Sequence, residues 1–275
     1  MGWRKALKRY KEKIMIVGAI ALVILMIGET LVMIGRGGVG GAITVEELKK
    51  YEYIPPEGNY TIMVFIAPPQ TCPICPELVQ NITQAVKLVN EVLAQSNTSI
   101  RAHVKIFDCA NFPHCTSKEA YVNFMINKVS QVPMVFVSYR GFKVPINVVG
   151  MSPQQMAQLL LAWLKLMSAA WKPPAKGVAV VYFYDSTHNS TQWQELVKLL
   201  KPYNITLVEL GCKQYPSNCT NNVVAYATML VLGLRPENLP MVLIYKDGQL
   251  VGYFYLGKQI NVVQVAKEIE SLLKQ

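Results

Sequence analysis

The second half of this 275-residue chain repeats the first half, and the duplication limits the folds open to it more than any other feature does. The matched segments are 64–66 with 182–184, 77–79 with 195–197, and, later, 132–135 with 239–242. The first two pairs share one offset of 118 residues. Self-similarity of this kind indicates two copies of one structural unit.

Apolar periodicity predicts the same order of elements, βαβαββα, in both copies. In the first copy we predict strands at 60–66, 100–108, 133–139 and 142–149, and helices at 73–95, 117–130 and 153–170. In the second copy we predict strands at 178–184, 205–210, 241–246 and 249–256, and helices at 190–201, 221–232 and 261–274. The chain is therefore expected to form two α/β domains, 44–171 and 178–275, joined by a linker at 172–177. A short helix is expected from Thr44 to Tyr51.

The N-terminal segment is predicted to anchor the chain in a membrane. Residues 1–13 carry six basic side chains and one acidic one, whereas residues 14–34 carry a single charge. A helix of that length spans about 31 Å, which matches a hydrocarbon core of about 30 Å. The basic tail is expected to stay cytoplasmic, so that residues 35–43 form a Gly-rich tether and both domains lie outside the cytoplasm. A cleaved signal peptide is the alternative, but its apolar region normally has about 7–15 residues.

The single charge within the predicted membrane helix belongs to Glu29. A carboxylate in a membrane span costs about 2.5–3.5 kcal/mol at the centre and less near an end. Glu29 lies close to the outer boundary, so snorkelling to the interface explains it, and contact with a partner's membrane helix is the functional alternative.

The basic balance of the chain does not indicate nucleic-acid binding. Half of the net charge of +10 comes from residues 1–13, and the charges of the remaining residues are interleaved in sign. Such interleaving is typical of an ordinary solvated surface. The lipid bilayer is the charged partner that the basic tail predicts.

The segment Cys72-Pro73-Ile74-Cys75 follows the first predicted strand and opens the first long helix. A sulfur at a helix N-terminus is stabilised as the thiolate by unpaired N–H groups and the helix dipole. The second sulfur, one turn further on, can then attack a mixed disulfide formed by the first. We interpret Cys72 as the nucleophile and Cys75 as the resolving thiol, with no cofactor required. Half of a zinc site and a merely structural disulfide are the alternatives, and zinc would need two further ligands that the other cysteines are poorly spaced to supply.

The remaining four cysteines form two local pairs, Cys109 with Cys115 and Cys212 with Cys219, at matching places in the two copies. We interpret both pairs as structural disulfides that close short loops, with an electron relay through Cys109 as the alternative. An even number of locally paired cysteines is typical of an oxidising compartment outside the cytoplasm.

Six N-x-Ser/Thr sequons occur in the chain, more than its composition gives by chance. They indicate a surface exposed to an N-glycosylation machinery. The acceptor asparagines are Asn59, Asn81, Asn97, Asn189, Asn204 and Asn218.

The order of elements, the CxxC after the first strand and the proline that opens the penultimate strand together resemble the thioredoxin family over both predicted domains. The resemblance implies a central sheet flanked by helices, with Pro133 in the cis form and facing Cys72 and Cys75. It also implies that the backbone of Val132, together with Thr71 in front of the dithiol, contacts an extended substrate. An ordinary proline at a strand edge is the alternative for Pro133, and its repetition at Pro240 favours the cis form.

Two departures from thioredoxin bear on the chemistry. Ile66 stands where thioredoxin has a buried carboxylate, and Thr71 stands where it has a tryptophan. Without the carboxylate nothing obvious deprotonates Cys75, so we expect slow exchange and long-lived mixed disulfides.

The second copy carries no exchange dithiol, because the offset of 118 places Ser190 and Trp193 where the first copy has its two cysteines. His188 lies beside this degenerate site and is expected to be a solvated loop residue. We predict that the second domain is a scaffold or a docking surface.

Three hypotheses follow. The first is a membrane-anchored thiol–disulfide exchange protein that acts outside the cytoplasm on exported, cysteine-containing clients. The second is a subunit of a membrane complex, because the chain is also similar to the thioredoxin-fold subunits of oligosaccharyltransferases, which carry an apolar CxxC and hold clients by transient mixed disulfides. Those subunits typically have several C-terminal spans and one thioredoxin domain, which this chain does not match. The third is a structural protein with three stapling disulfides.

Overall fold

The computed structural model describes residues 44–110, 115, 117–219, 222–256 and 260–273. The predicted basic tail at 1–13, the membrane helix at 14–34 with Glu29, and the tether at 35–43 lie outside the described residues. None of the described helices is long and apolar enough to cross a membrane.

The described residues form two four-stranded sheets with helices between their strands. The strands are β1 (Tyr60–Ile66), β2 (Ala102–Asp108), β3 (Met134–Tyr139), β4 (Phe142–Ile146), β5 (Val178–Asp185), β6 (Ile205–Cys212), β7 (Met241–Lys246) and β8 (Gln249–Tyr255). The helices are α1 (Val45–Tyr51), α2 (Cys75–Gln95), α3 (Lys118–Ile126), α4 (Pro153–Ala169), α5 (Gln192–Leu200), α6 (Val223–Val231) and α7 (Val262–Leu273), with a short 3-10 turn at Pro236–Asn238.

Both sheets have the same strand order, which confirms the duplication predicted from the sequence. The first is ordered β2-β1-β3-β4 and the second β6-β5-β7-β8. In the second sheet β5 pairs parallel with β6 and antiparallel with β7, and β7 pairs antiparallel with β8. In the first sheet β1 pairs antiparallel with β3, and β3 with β4. Each copy therefore has the βαβαββα order and the strand order of a thioredoxin-like domain.

Several predicted elements are shorter in the structure, and local hydrogen bonds explain where they stop. The helix predicted at 117–130 ends at Ile126, because the Asn127 side chain donates to the Asn123 carbonyl and Lys128 adopts a φ of 51°. The strand predicted at 142–149 ends at Ile146, because the Asn147 side chain accepts the N–H of Val149 and turns the chain.

The core of the first copy lies on one face of β1. Tyr60, Ile62 and Val64 alternate towards this face and pack against α2 and α4. The Tyr60 hydroxyl donates to the Leu160 carbonyl of α4 at 2.9 Å, which satisfies a buried polar group. The opposite face carries Phe65, whose ring stacks on Phe107 at a centroid distance of 4.9 Å.

Helices α1 and α3 belong to a separate compact unit, formed within the described chain by residues 44–53 and 108–130. Asn123 of α3 is buried and links the two helices. Its side chain accepts the N–H of Tyr53 and donates to the carbonyl of Tyr51. This amide therefore fixes the end of α1 against α3.

The second copy contributes to the core of the first. Helix α6 packs against α4, and its residues Ala227 and Val231 belong to the same buried cluster as β1. The N–H of Trp171 donates to the Thr228 hydroxyl of α6 at 2.8 Å. Removing the second copy would therefore expose part of the core that carries β1.

Candidate dithiol site

Cys72 and Cys75 form a disulfide at the junction between β1 and α2, with their Cα atoms 5.4 Å apart. The turn before the helix is fixed by Pro68, whose carbonyl accepts the N–H groups of Thr71 and Cys72 at 2.9 and 2.8 Å. Cys75 N–H then donates to the Cys72 carbonyl. The sequence pattern predicted a helix from residue 73, whereas α2 begins at Cys75. Cys75 rather than Cys72 therefore occupies the first position of the helix.

Both sulfurs lie in an apolar environment. Cys72 is 3% exposed and Cys75 is 1% exposed, and with Ala67 they form a small buried cluster. Ile66 and Val132 pack against this cluster. Ile66, which stands where thioredoxin has a carboxylate, thus contacts the disulfide cluster. Its side chain is a hydrocarbon and cannot exchange a proton.

The surface around the buried sulfurs carries both apolar and polar side chains. Ile74, between the two cysteines, is 46% exposed, and Thr71 and Pro73 are exposed beside it. Ile74 lines a groove of about 380 Å³. Its other lining residues are Glu77, Leu78, Asn81, Val149, Gly150, Met151, Ser152 and Met156. An apolar side chain of a polypeptide could therefore settle next to the disulfide.

The loop before β3 approaches the dithiol as the resemblance implied. The Val132–Pro133 peptide bond is cis, as is the matching Leu239–Pro240 bond in the second copy. Val132 itself packs against the cluster of Cys72 and Cys75. A third cis bond, Tyr215–Pro216, was not expected from the sequence.

The second copy fills the matching position with an indole. Trp193 is 1% exposed, stacks on Tyr182 at a centroid distance of 4.8 Å and donates its Nε1–H to Glu209 at 2.7 Å. Ser190 N–H donates to the Tyr182 hydroxyl at 2.9 Å. The site is therefore packed and hydrogen-bonded.

A buried carboxylate close to this degenerate site was missed in the sequence. Asp185 is 1% exposed and accepts hydrogen bonds from the Thr187 hydroxyl, the Tyr215 N–H and His188 Nδ1. Burial alone would raise the pKa of Asp185, but these hydrogen bonds outweigh it and lower the pKa. An Asp followed two residues later by Thr is a turn-forming pattern that could have revealed it. His188 is partly exposed, but its ring is tied to Asp185 and does not point freely into solvent.

The other four cysteines are paired as the sequence suggested. Cys109 bonds Cys115 with Cα atoms 4.3 Å apart, and Cys212 bonds Cys219 with Cα atoms 4.7 Å apart. Cys212 and Cys219 are part of the buried cluster on one face of β5. Among the described residues no group of His, Cys, Asp and Glu side chains could hold a metal ion.

None of the six sequon asparagines is buried. Asn97, Asn189 and Asn204 are exposed, and the other three are partly exposed. Asn189 accepts a hydrogen bond from the Tyr182 hydroxyl at 2.8 Å. Their use as glycosylation sites stays a prediction.

Comparisons with known proteins add little to this picture. No protein-family model matches the sequence, and no curated protein matches it either. Among solved structures, the zinc-bound form of human ERp44 is 11% identical, with a TM-score of 0.28, and the match covers 77% of this chain and 54% of that one. Form II of ERdj5 is 14% identical, with a TM-score of 0.28, over 82% of this chain and 28% of that one. The first two thioredoxin domains of Saccharomyces cerevisiae Eps1p are 11% identical, with a TM-score of 0.27, over 87% of this chain and 99% of that one.

The fold assignment therefore depends on the chain's own strand order and connectivity. Two thioredoxin-like sheets, with a Cys72–Cys75 disulfide after the first strand of one of them, support thiol–disulfide exchange.

Proposed function

We propose that this protein is a membrane-anchored thiol–disulfide exchange protein that acts outside the cytoplasm on exported proteins containing cysteine. The observation that carries the proposal is the Cys72–Cys75 disulfide between β1 and α2, with Val132 packed against it. The anchor is inferred from the apolar span at 14–34, and the location from the basic tail, the paired cysteines and the sequons.

The exchange step begins when a client thiolate attacks the sulfur of Cys72. The Cys72–Cys75 bond breaks, a mixed disulfide forms between the client and Cys72, and Cys75 leaves as a thiolate that takes up a proton. A second client thiolate then attacks the client sulfur, which releases an oxidised client and the reduced pair Cys72/Cys75. The reverse sequence reduces a client disulfide, so the direction depends on the reduction potential of the pair and its redox partner.

Cys72 is the sulfur that we expect clients to attack. It lies in the turn ahead of the helix, whereas Cys75 is the first residue of α2; both cysteines are almost fully buried and lie between exposed neighbours. The groove lined by Ile74 and Val149 would hold a neighbouring apolar side chain of the client. Glu77, Asn81 and Ser152 line the same groove and would offer polar contacts to a polypeptide client.

Ile66 gives the proposal a kinetic prediction. Replacing it with Asp puts a carboxylate beside Cys75, where it can take the thiol proton as Cys75 attacks the mixed disulfide. General-base catalysis contributes about 10²–10⁴-fold in rate, and because the site is not preorganised we expect an increase near the lower end of that range. Stopped-flow decay of a preformed mixed disulfide between Cys72 and a fluorescent peptide measures the rate.

Ile66→Asn is the matched control, because asparagine has the same shape as aspartate and is polar but cannot act as a base. Equal resolution rates in the Asp and Asn variants would show that the hydrocarbon at position 66 does not limit exchange.

The experiment that tests the proposal is capture of clients with Cys75→Ser. This change removes the resolving thiol, so a client attached to Cys72 stays attached. The full-length variant is isolated from its native membrane in mild detergent under alkylating conditions, and the attached proteins are identified by mass spectrometry. Cys72→Ser/Cys75→Ser is the control for association without a covalent bond.

We expect several exported, cysteine-containing proteins that are lost on reduction and absent from the control. A single integral-membrane companion, present in both samples at a constant ratio, would favour the complex-subunit hypothesis, in which an oligosaccharyltransferase is the predicted partner. Absence of any covalently attached protein would contradict exchange with clients.

A further inference from the structure

The edge strand of the second sheet, β8, exposes an uncharged row of side chains. Leu250, Val251, Tyr253 and Tyr255 are between 44% and 57% exposed, and we call them the β8 edge patch. The strand contains no charged residue and no proline. In the part of the chain that the structure describes, no strand pairs with the outer side of β8.

The matching edge of the first copy is protected. Strand β4 follows a similar two-residue turn, with positive φ at Arg140 and Gly141 as at Asp247 and Gly248 of the second copy. Its outward positions, however, hold the exposed residues Lys143 and Pro145. A lysine and a proline are the usual means by which an edge strand is kept from pairing with another chain.

A β-bulge interrupts the pairing of β8 with β7 but leaves the outer edge of β8 unpaired among the described residues. The register between β7 and β8 shifts at Ile244/Tyr245, which leaves Val251 without a paired residue. Residues 252–255 pair regularly with β7 beyond the bulge. Tyr253 and Tyr255 lie on one face of this stretch with their rings edge to face at 5.8 Å. The regular stretch therefore presents both an open backbone edge and an aromatic surface.

We propose that the β8 edge binds an extended, uncharged segment of an unfolded client as an added strand. Main-chain hydrogen bonds would supply affinity, and the two tyrosines would select apolar side chains at alternate positions. The inference deepens the proposed function, because it assigns client binding to the copy that lacks the dithiol.

Charge and area both favour this occupant. A charged segment would lose hydration against the uncharged β8 edge patch without gaining an ionic partner there. A second copy of the chain would need about 800 Å² of buried surface per partner for a stable dimer. Fully burying an aromatic side chain removes about 150–250 Å², and the two tyrosines and two aliphatic residues of the patch are already partly covered. The patch is therefore sufficient for one added strand and too small for a stable dimer.

The test uses a short fluorescent peptide of alternating Thr and Val, without cysteine, and the full-length protein in mild detergent. Fluorescence anisotropy gives the affinity for the wild type and for the double variant Val251→Lys/Tyr253→Lys. Val263→Lys on α7 is the matched control, because Val263 is 46% exposed on another element of the same copy. Two further peptides are measured on the wild type, one methylated at the odd-numbered backbone nitrogens and one at the even-numbered ones. This part of the test does not depend on any variant folding.

We expect the double variant to bind the peptide at least about tenfold more weakly, the Val263→Lys variant to bind normally, and one of the two methylation patterns to abolish binding. Equal binding by the double variant, or by both methylated peptides, would overturn the proposal. A wild-type dimer in light scattering that the double variant converts to a monomer would also overturn it in favour of a second copy.

The peptide has no thiol, so the result is independent of exchange at Cys72. Loss of exchange with intact peptide binding would contradict the proposed function alone. Intact exchange without peptide binding would contradict the β8 inference alone.

Discussion

Cys72→Ser is expected to abolish thiol–disulfide exchange. A hydroxyl does not form a mixed disulfide, and we expect Cys75 to resolve a mixed disulfide and not to form one with a client. Cys75→Ser should instead accept a client once and stop, because no second sulfur resolves the mixed disulfide. The two variants should therefore differ in kind, with no reaction in one and a single covalent turnover in the other.

The measurement is the time course with a fluorescent, disulfide-bonded peptide, added to protein whose Cys72–Cys75 pair has been reduced beforehand, followed by mass spectrometry of the protein. The paired change Cys109→Ser/Cys115→Ser is the control, since it removes a different disulfide, whose cysteines are six residues apart in the sequence instead of three. Unchanged turnover in Cys72→Ser, or loss of turnover in the control with the fold intact, would place the chemistry elsewhere.

Gly211→Ala is expected to destabilise the second copy strongly. A Cβ at position 211 would lie 2.3 Å from Cζ of Tyr184 and 2.7 Å from the two Cε atoms of that ring. The ring cannot easily move, because it stacks on Tyr182 at 4.9 Å, and Tyr182 in turn stacks on Trp193. Overpacking costs about 1–3 kcal/mol, and the rigid stack places this variant at the upper end.

Thermal unfolding followed by circular dichroism measures the effect, which for a protein of this size is about 2–4 °C in Tm for each kcal/mol. Gly252→Ala on β8 is the matched control, because its nearest atom outside the adjacent residues is the Ile244 Cδ1 at 3.9 Å. Adding Tyr184→Ala should remove most of the penalty of Gly211→Ala. Equal Tm values for the two alanine variants would show that the aromatic stack can rearrange around the new methyl group without loss of stability.

The duplicated sheets could be predicted from the sequence because their signals are local and repeated. The alternating apolar residues of β1 and β5, and the prolines at 133 and 240, sit at matching places in both copies. Two weak patterns that recur in the same order in both copies exclude most alternative folds.

The start of α2 could not be predicted in the same way. The helical apolar pattern continues up to the CxxC, but the Pro68 carbonyl holds a turn that carries Cys72 ahead of the helix. The Asp185 network likewise depends on a contact between separate segments, since the Tyr215 N–H donates to Asp185. Periodicity records which face of an element is apolar and carries no information about such contacts.

The burial of Cys72 could not be predicted from the sequence either. A cysteine that opens a helix would be partly solvated, whereas here Ala67, Ile66 and Val132 surround the sulfurs. These three side chains supply hydrocarbon around the sulfurs. We therefore expect slow exchange with a long-lived mixed disulfide.

The most direct test of the account is equilibration of the full-length protein in glutathione buffers of graded potential. Alkylation and mass spectrometry then report the oxidised fraction of each of the three disulfides. We predict that Cys72–Cys75 passes from oxidised to reduced within the range of the buffers, while Cys109–Cys115 and Cys212–Cys219 stay oxidised. If Cys72–Cys75 stayed oxidised together with the other two, the protein would be held by three structural disulfides and the exchange function would be contradicted.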